Sequence, residues 1–493
     1  MKTSNHREPS AVMALIPIIL TMSILMYHIF ANGGGPHIPL ILGIFITAIF
    51  GLAHNYSWAE MQDGIVSNVA ISIPVLGIML AVGMTISTWI LCGTVPFLTV
   101  FGLTFLAPAT FLPVTCIICA IVSVATGTSW GTVGTIGLAL LGIGEGMGIP
   151  MQFTAGAVVS GAWFGDKISP LSDTTNFTAA IVGVDLYAHI RNMLPSTVPS
   201  MILALILYSI IGYKFGDSLI QSGDMTLIVD IIKESFSLNL LVLLPPVVVL
   251  ATVIRKIPAL PGIFLGVVAA GIVAMVLQDA SLGDVLGTMM NGYIGNTGND
   301  QLDTLLSKGG VMSMMWVVSL IMIAMAFGGV LEKTKCLEVI LRAILGKLST
   351  RASLIAGSLL SAIGFNLCSN AFIAYTVPGR MFAPAFRGMG LSTANLSRAL
   401  EDGATMSAPL IPWNSGAVYV SSTLGLPTLV YAPFAFANWL APLFDLLWGW
   451  TGYFVPNATD AEIRNWASRG DGILVDGRIA DATIPLDRTT AEK

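Results

Sequence analysis

Charged side chains are scarce in this sequence. Asp, Glu, Lys and Arg make up only 10% of its 493 residues, whereas 55% are hydrophobic, and a soluble domain averages about 25% charged residues. The cations lie in loop clusters rather than on one face, which argues against a nucleic-acid partner. We therefore expect an all-α polytopic membrane protein whose main partner is the lipid bilayer.

The motifs of common enzymes are missing as well. The sequence has no HExxH pattern, and its five cysteines form no CxxC outside an apolar run. Cys116 and Cys119 have helical spacing in such a run, where packing thiols are expected. The segment GAWFGD at 161–166 resembles the motif of aspartyl intramembrane proteases only superficially. We therefore expect no enzymatic activity and no cofactor.

A polar stretch, GDKISPLSDTTN at residues 165–176, interrupts the apolar run that begins at Met151. A charge at mid-bilayer costs roughly 2.5–3.5 kcal/mol, so these three charges oppose insertion of a helix exposed to lipid. Pro170 cannot donate a hydrogen bond within a helix. The pattern predicts two half-helices joined by an unwound, oxygen-rich linker, as at the ion sites of secondary transporters.

The two halves of the chain resemble each other. PHIP at 36–39 recurs as PALP at 258–261, and PL at 170–171 recurs as PL at 409–410. Each half also has an apolar stretch with a polar centre, which is typical of a re-entrant hairpin. Chance similarity among apolar segments is the alternative.

We predict about ten transmembrane helices, two re-entrant hairpins and two broken helices. The predicted segments are the N-terminus and first span at 1–35, repeat 1 at 36–213 with a hairpin tip near 126–129 and a broken span near 165–176, a linker loop and span at 214–257, repeat 2 at 258–453 with a hairpin tip near 367–370 and a broken span near 401–416, and a flexible cytoplasmic tail at 454–493.

Cations are distributed unequally between the matched segments. Residues 333–351 carry five Lys or Arg side chains, whereas the corresponding residues 93–110 carry none. Arg380, Arg387 and Arg398 follow the second hairpin, and cytoplasmic loops are enriched in such cations. The same unit therefore lies on opposite sides of the membrane, as an inverted repeat. We expect a multi-pass protein of the bacterial inner membrane, with both termini in the cytoplasm.

In this arrangement the hairpin tips meet the broken spans near the membrane midplane. A hard cation such as Na⁺ prefers oxygen ligands, and a buried carboxylate neutralises its charge with either a metal cation or a proton. Asp173 is favoured for direct Na⁺ contact, with Asp166 next, although Asp166 could instead pair with Lys167. Lys167 is either a substrate counter-ion or a structural partner. The candidate ion- and proton-binding residues are Thr128, Ser129, Asp166, Asp173, Thr174, Asn176, Ser369, Asn370, Glu401, Asp402, Asn414 and Ser415.

Each candidate has a simpler interpretation. Glu401 or Asp402 could face the cytoplasm, since both precede their break. The hydroxyl and amide side chains at the hairpin tips could only cap helix ends. Neither interpretation is excluded by the sequence.

Three motifs resemble those of NhaC-type sodium/proton antiporters. They are GTSWGTVGT at 127–135, GDKISPLSDTTN at 165–176 and GVLEKT at 329–334. The resemblance runs from about residue 36 to residue 450. It implies the fold of the broader ion-transporter superfamily, with paired hairpins and often an elevator-like movement. The family also contains members that exchange malate for lactate and members linked to amino acids.

We therefore expect a Na⁺/H⁺ antiporter that works by alternating access and transports Na⁺ and H⁺. The alternative is a Na⁺- or H⁺-coupled exchanger of small organic acids or amino acids, with small carboxylates as partners. A passive channel is disfavoured, because two inverted half-sites with carboxylates at the midplane suit alternating access. A homodimer is compatible with the sequence.

The inverted repeat predicts which loops face outward. Single cysteines placed at Ser222 and Asp300 should react with a membrane-impermeant thiol reagent in intact cells, whereas one at Lys347 should react only after permeabilisation. The unmodified protein, with its five native cysteines, gives the background. Labelling of the Lys347 variant from outside would contradict the inverted arrangement.

Overall fold

The protein is almost entirely helical in the computed structural model. The structure describes residues 6–105, 107–216, 222–255, 257–368, 371–468, 473–475 and 478–480. Among these residues, seven helices are long and apolar enough to cross a membrane, or nine if each strongly bent helix pair forms one span. The predicted all-α polytopic membrane fold is confirmed.

The described residues of the first half form ten α-helices. A π-helical segment, Val133–Gly137, joins the sixth to the seventh. The helices are Ala11–Asn32 (α1), His37–Ala53 (α2), Trp58–Leu91 (α3), Thr94–Phe105 (α4), Pro108–Thr126 (α5), Ser129–Thr132 (α6), Leu138–Gly146 (α7), Met151–Ile168 (α8), Asp173–Val182 (α9) and Leu186–Gly216 (α10).

The described residues of the second half form fourteen α-helices and one pair of short strands. A second π-helical segment, Glu401–Thr405, follows α20. The elements are Ser222–Ser235 (α11), Leu244–Ile254 (α12), Ala259–Leu277 (α13), Leu282–Asn291 (α14), Asp300–Leu306 (α15), Val311–Lys333 (α16), Cys336–Leu345 (α17), Arg351–Cys368 (α18), Ala371–Gly388 (α19), Thr393–Leu400 (α20), Ser415–Leu424 (α21), Thr428–Tyr431 (α22), Phe436–Thr451 (α23), Asp460–Ser468 (α24) and the paired strands Ile473–Val475 (β1) and Arg478–Ala480 (β2).

The helices pack in two groups. The scaffold group consists of α1, α2, α3, α12, α13, α14 and α16, and the site group consists of α5–α10 and α18–α23. Helix α3 is continuous over 34 residues, although its first turns have a mixed polar sequence that suggests a separate surface segment. The helix includes these turns because a capping box starts it at Trp58. In this box, Ser57 and Glu60 satisfy each other's backbone N–H groups.

Glycines bring α3 and α16 into backbone contact. A Cβ atom on Gly329 would lie 2.4 Å from the carbonyl oxygen of Gly64, and one on Gly64 would lie 2.7 Å from that of Gly329. At the other end of the crossing, a Cβ on Gly83 would lie 2.6 Å from the carbonyl oxygen of Gly310. Small residues at such crossings allow membrane helices to approach closely. The crossing is the centre of the scaffold group.

In the site group, each hairpin packs against the broken helix of its own half. Between α5 and α6, Gly127 adopts a φ of 67°, and near this turn Ser169 donates to the carbonyl oxygen of Val124 over 2.7 Å. In the second half, Trp413 donates to the carbonyl oxygen of Leu367 over 2.7 Å. These hydrogen bonds provide partners for backbone carbonyl oxygens at the helix breaks, which lipid could not provide.

The beginning of the predicted tail is bound to the site group. Glu462 of α24 accepts a hydrogen bond from Ser392 over 2.6 Å, and Ser392 caps the N-terminus of α20. Trp466 is 4% exposed, and Ala458 donates to the carbonyl oxygen of Gly390 over 2.8 Å. Residues 481–493 lie outside the described part of the chain, and a flexible tail there stays a prediction.

Gly329→Ala should destabilise the protein, because the added methyl group overlaps the backbone of Gly64. We expect a loss of about 1–3 kcal/mol, the usual cost of overpacking, measured as a lower midpoint of thermal unfolding in detergent. Gly364→Ala is the matched control, since a Cβ on Gly364 meets no atom within 4 Å. Equal midpoints for the two variants would contradict the close crossing.

Candidate functional site

A cavity of about 100 Å³ lies between the site group and the scaffold group. Both halves of the chain contribute polar side chains to it, and α3 and α16 close it with mostly apolar ones. The lining residues are Ser72, Ile78, Thr128, Ser129, Trp130, Trp163, Asp166, Asp173, Thr174, Ile321, Ala324, Met325, Ala371, Phe372, Tyr375, Thr405, Ala408, Asn414, Ser415 and Gly416.

Asp166 is the buried carboxylate of this cavity. It lies near the C-terminal end of α8 and is 5% exposed. Its Oδ2 accepts a hydrogen bond from the Ser129 hydroxyl over 2.7 Å, whereas its Oδ1 has no hydrogen-bond partner. A buried carboxylate oxygen without a partner is costly, and a cation or a proton would offset that cost.

Asp173 is the second carboxylate of the cavity. It begins α9, and its Oδ1 accepts a hydrogen bond from the backbone N–H of Thr174 over 2.9 Å. The hydroxyl of Ser172 caps the same helix end. Asp173 is exposed, and it acts electrostatically on Asp166. One short break in the helix therefore places two acidic groups in the same cavity.

The neutral candidates combine capping with lining. Thr128 accepts a hydrogen bond from the backbone N–H of Gly131 over 3.1 Å and caps α6. Asn414 accepts one from Gly416 over 3.0 Å and caps α21. Both also line the cavity. Capping a helix end therefore does not prevent these two side chains from facing a bound ion.

A fully buried ion pair joins the two halves beside the cavity lining. Lys167 of α8 contacts Asp402 of the second broken helix, and both side chains have 0% exposure. The other carboxylate oxygen of Asp402 accepts a hydrogen bond from Ser196 over 2.7 Å. Lys167 and Asp402 do not line the cavity, and the lysine's charge is directed at the aspartate.

Glu401 is also fully buried, but it has only hydroxyl partners. Thr178 donates to its Oε1 over 3.0 Å, and Thr405 donates to its Oε2. The hydroxyl of Thr405 is in turn hydrogen-bonded to the Tyr375 hydroxyl over 2.7 Å. Neither Glu401 nor Asp402 faces the outside of the protein, because the π-helical segment directs both into the site group.

The structure brings most of the sequence candidates together. Seven line the cavity, while Lys167, Glu401 and Asp402 form the polar layer around it. Asn176 is exposed, and its amide donates to the carbonyl oxygens of Pro170 and Ser172 within its own loop. Ser369 and Asn370 lie outside the described residues. The seven lining candidates are Thr128, Ser129, Asp166, Asp173, Thr174, Asn414 and Ser415.

Sequence reasoning missed several polar partners. Thr178 lies four residues after Thr174 on α9, which is a signal for a shared helix face. Arg398 belongs to the cations that the sequence assigns to a cytoplasmic loop, but it is fully buried and donates to Asp445 over 2.7 Å. The signal for this pair was the acidic Asp445 in an otherwise apolar final span.

No group of three or more His, Cys, Asp or Glu side chains in the described part of the chain is arranged to hold a metal ion. A cation at this cavity would therefore depend on hydroxyl, amide and backbone oxygens together with the two aspartates. Such a mixed set of oxygens suits a weakly held, exchangeable cation.

Known proteins resemble this chain over most of its length. A model of the Na⁺/H⁺ antiporter family matches residues 161–453. The chain is 38% identical to the Na⁺/H⁺ antiporter NhaC of Alkalihalophilus pseudofirmus, over 91% of this chain and 97% of that protein. It is 34% identical to the arginine/ornithine antiporter ArcD of Halobacterium salinarum, over 91% and 93%. It is also 34% identical to the malate-2H⁺/Na⁺-lactate antiporter of Bacillus subtilis, over 85% and 90%.

The buried ion pair should be a structural constraint on the two halves. Removing one partner leaves an uncompensated buried charge, which costs about 3–5 kcal/mol. We expect Lys167→Met and Asp402→Asn each to lower the unfolding midpoint in detergent, and the double variant to recover much of the loss. Glu8→Gln is the control, since its pair with Lys335 is exposed and should contribute little. Additive losses in the double variant would contradict a direct pair.

Proposed function

Because the chain belongs to the Na⁺/H⁺ antiporter family, we propose that it exchanges Na⁺ for H⁺ across a bacterial inner membrane by alternating access. The observation that carries this proposal is the unpartnered Oδ1 of Asp166 in a small acidic cavity. A carboxylate in that position accepts Na⁺ or a proton, and the exchange of one for the other is the chemistry of antiport. The proton gradient then drives Na⁺ out of the cell.

The size of the cavity suits a partly hydrated cation. Its volume of about 100 Å³ is several times the roughly 10–15 Å³ of cavity space that one water molecule needs. Asp166 and Asp173 supply negative charge, and Ser129 and Thr174 supply neutral oxygens. A Na⁺ ion with one or two waters fits this space and this donor set.

The charges around the cavity favour an inorganic cation over a carboxylate. The lining includes two aspartates and no lysine or arginine, and nearby Lys167 is paired with Asp402. An organic anion would therefore meet repulsion from both aspartates without an available counter-ion. This supports the structural role of Lys167 over the role of substrate counter-ion.

Exchange of organic acids or amino acids is the second candidate. Two relatives of similar identity bear the names of arginine/ornithine and malate/lactate antiporters. The N-termini of α9 and α21 also meet at the cavity, and their N–H groups could receive a carboxylate. Such a substrate is larger than a cation with one or two waters, so it would need more of the cavity than Na⁺ does.

Asp166→Asn should abolish coupled exchange, because the amide keeps the shape but can neither be protonated nor neutralise Na⁺. The assay is Na⁺-induced proton movement in proteoliposomes, with Asp173→Asn measured beside it. Ser129→Ala should weaken the apparent Na⁺ affinity about tenfold, since one hydrogen bond to a charged group is lost. Asp185→Asn is the control, because Asp185 is exposed and only caps α10 through N–H groups of Tyr187 and Ala188.

Competition between Na⁺ and H⁺ fixes the sign of the pH dependence. A carboxylate that must lose its proton before it binds Na⁺ gives a weaker apparent Na⁺ affinity as the pH falls. Unchanged exchange in both Asn variants would exclude these carboxylates as carriers. Uptake of labelled malate, lactate or arginine by the wild type, with no Na⁺-induced proton movement, would support the second candidate instead.

A further inference from the structure

Glu401 differs from the other buried acids in the kind of partners it has. Its two oxygens contact the hydroxyls of Thr178 and Thr405, and it is fully buried. A hydroxyl can donate to a carboxylate and can also accept from a carboxylic acid. The surroundings of Glu401 therefore satisfy both its charged and its neutral form.

None of the other three carboxylates around the cavity has a hydroxyl partner at both oxygens. Asp402 contacts the ammonium group of Lys167, which favours the charged form. Asp173 accepts from a backbone N–H, which can only donate. Asp166 has one oxygen without any partner, which leaves room for a cation. Of the four, Glu401 has the partners best suited to repeated gain and loss of a proton.

A continuous chain of hydroxyls connects Glu401 to the cavity. The Thr405 hydroxyl contacts Glu401, and the Tyr375 hydroxyl oxygen lies 2.7 Å from the Thr405 hydroxyl oxygen. Thr405 and Tyr375 line the cavity, whereas Glu401 does not. Glu401 and Thr405 are the first and last residues of the π-helical segment, a rare conformation that is frequent at functional sites.

We propose that Glu401 is a second proton site of the transporter, filled and emptied from the cavity through Tyr375 and Thr405, and that Na⁺ binding releases its proton. The proposal rests on the Na⁺/H⁺ exchange proposed above, and it adds a residue that does not touch the cavity. It separates the group that holds Na⁺ from a group that holds a counter-transported proton.

The proton step needs no co-reactant beyond cavity water. A hydronium ion in the cavity gives its proton to the Tyr375 oxygen, and the original Tyr375 proton passes to the Thr405 oxygen. The original Thr405 proton then passes to Oε2 of Glu401. One O–H bond breaks for each one that forms, a water molecule remains, and the two hydroxyls end with reversed orientation. Release follows the same path backwards.

The charge of Asp166 couples this step to Na⁺. Asp166 and Glu401 are both buried in the site group, where charges act on each other through a medium of low dielectric constant. Na⁺ beside Asp166 cancels the negative charge of that aspartate, so the proton leaves, and by linkage a protonated Glu401 weakens Na⁺ binding. The other titratable groups on elements packed around this turn include Lys167 on α8, Asp173 on α9, Tyr375 on α19, Asp402 on the turn itself, and Arg398 and Asp445, which pair with each other. Helices α18 and α19 also carry Arg351, Cys368, Arg380 and Arg387.

Proton release on Na⁺ addition tests the second site at equilibrium. Purified protein in weakly buffered detergent is mixed with NaCl, and a pH indicator reports the protons released per chain. We expect Glu401→Gln to bind Na⁺ but to release fewer protons than the wild type, because glutamine keeps the contacts to Thr178 and Thr405 without titrating. The same number of protons in both proteins would overturn the proposal.

The relay is tested by rate. Tyr375→Phe should leave the number of released protons unchanged but slow their release about tenfold, as expected for the loss of one hydrogen bond from the path. Thr376→Val is the matched control on the same helix, since its hydroxyl bonds only the carbonyl oxygen of Phe372 over 2.8 Å. An unchanged release rate in Tyr375→Phe would overturn the relay. If Glu401→Gln does not fold, this measurement alone tests the proposal.

Failure of this proposal differs visibly from failure of the proposed function. Exchange of ²²Na⁺ for Na⁺ in proteoliposomes requires a Na⁺ site but no net proton transfer, so Glu401→Gln should retain it. A wild type that shows neither Na⁺ exchange nor Na⁺-induced proton release would reject the proposed function. A wild type with both, together with a Glu401→Gln variant of unchanged proton count, would reject only the second site.

Discussion

The contact of Lys167 with Asp402 is the interaction on which the site depends. Two opposite charges with 0% exposure attract each other strongly where water is excluded, but each alone would be costly. The pair joins the first broken helix to the second across 235 residues of sequence. It therefore fixes the distance between the halves at the level of the membrane where Asp166, Glu401 and the cavity lie.

That constraint lets neighbouring residues have different roles. Asp166 and Lys167 are adjacent in sequence, as are Glu401 and Asp402, and one member of each pair forms the ion bridge. The remaining members are left without a full counter-charge, one facing the cavity and one enclosed by hydroxyls. Helical geometry explains this division, because consecutive residues of a helix point in different directions, about 100° apart in the α-helix that carries Asp166 and Lys167. A transporter needs buried charged groups that have no permanent counter-charge. The ion bridge holds in place the two helices that carry such groups, Asp166 and Glu401.

The sequence predicts the helical fold and the breaks because both depend on local chemistry. Proline, glycine and hydroxyl residues inside apolar runs indicate where a membrane helix must stop, and α8 ends at Ile168, two residues before Pro170. Partners across the fold are less accessible, since spacing relates residues only within one element. The sequence favours Asp173 as the Na⁺ ligand because it lies within the break. In the structure Asp166 is the buried acid with an unpartnered oxygen and Asp173 is exposed, and Na⁺ contact by Asp173 stays a prediction.

The two halves of the chain bring different chemistry to the cavity. The first half brings both of its aspartates to the cavity wall, whereas the second half brings amides and hydroxyls there and keeps its acids behind them. A symmetric site with four exposed carboxylates would hold cations too strongly to release them, or would bind protons in their place. With only the first half's acids at the wall, the cavity carries enough charge to attract a cation. The second half's buried acids sense that charge through the low-dielectric interior without competing for the ion.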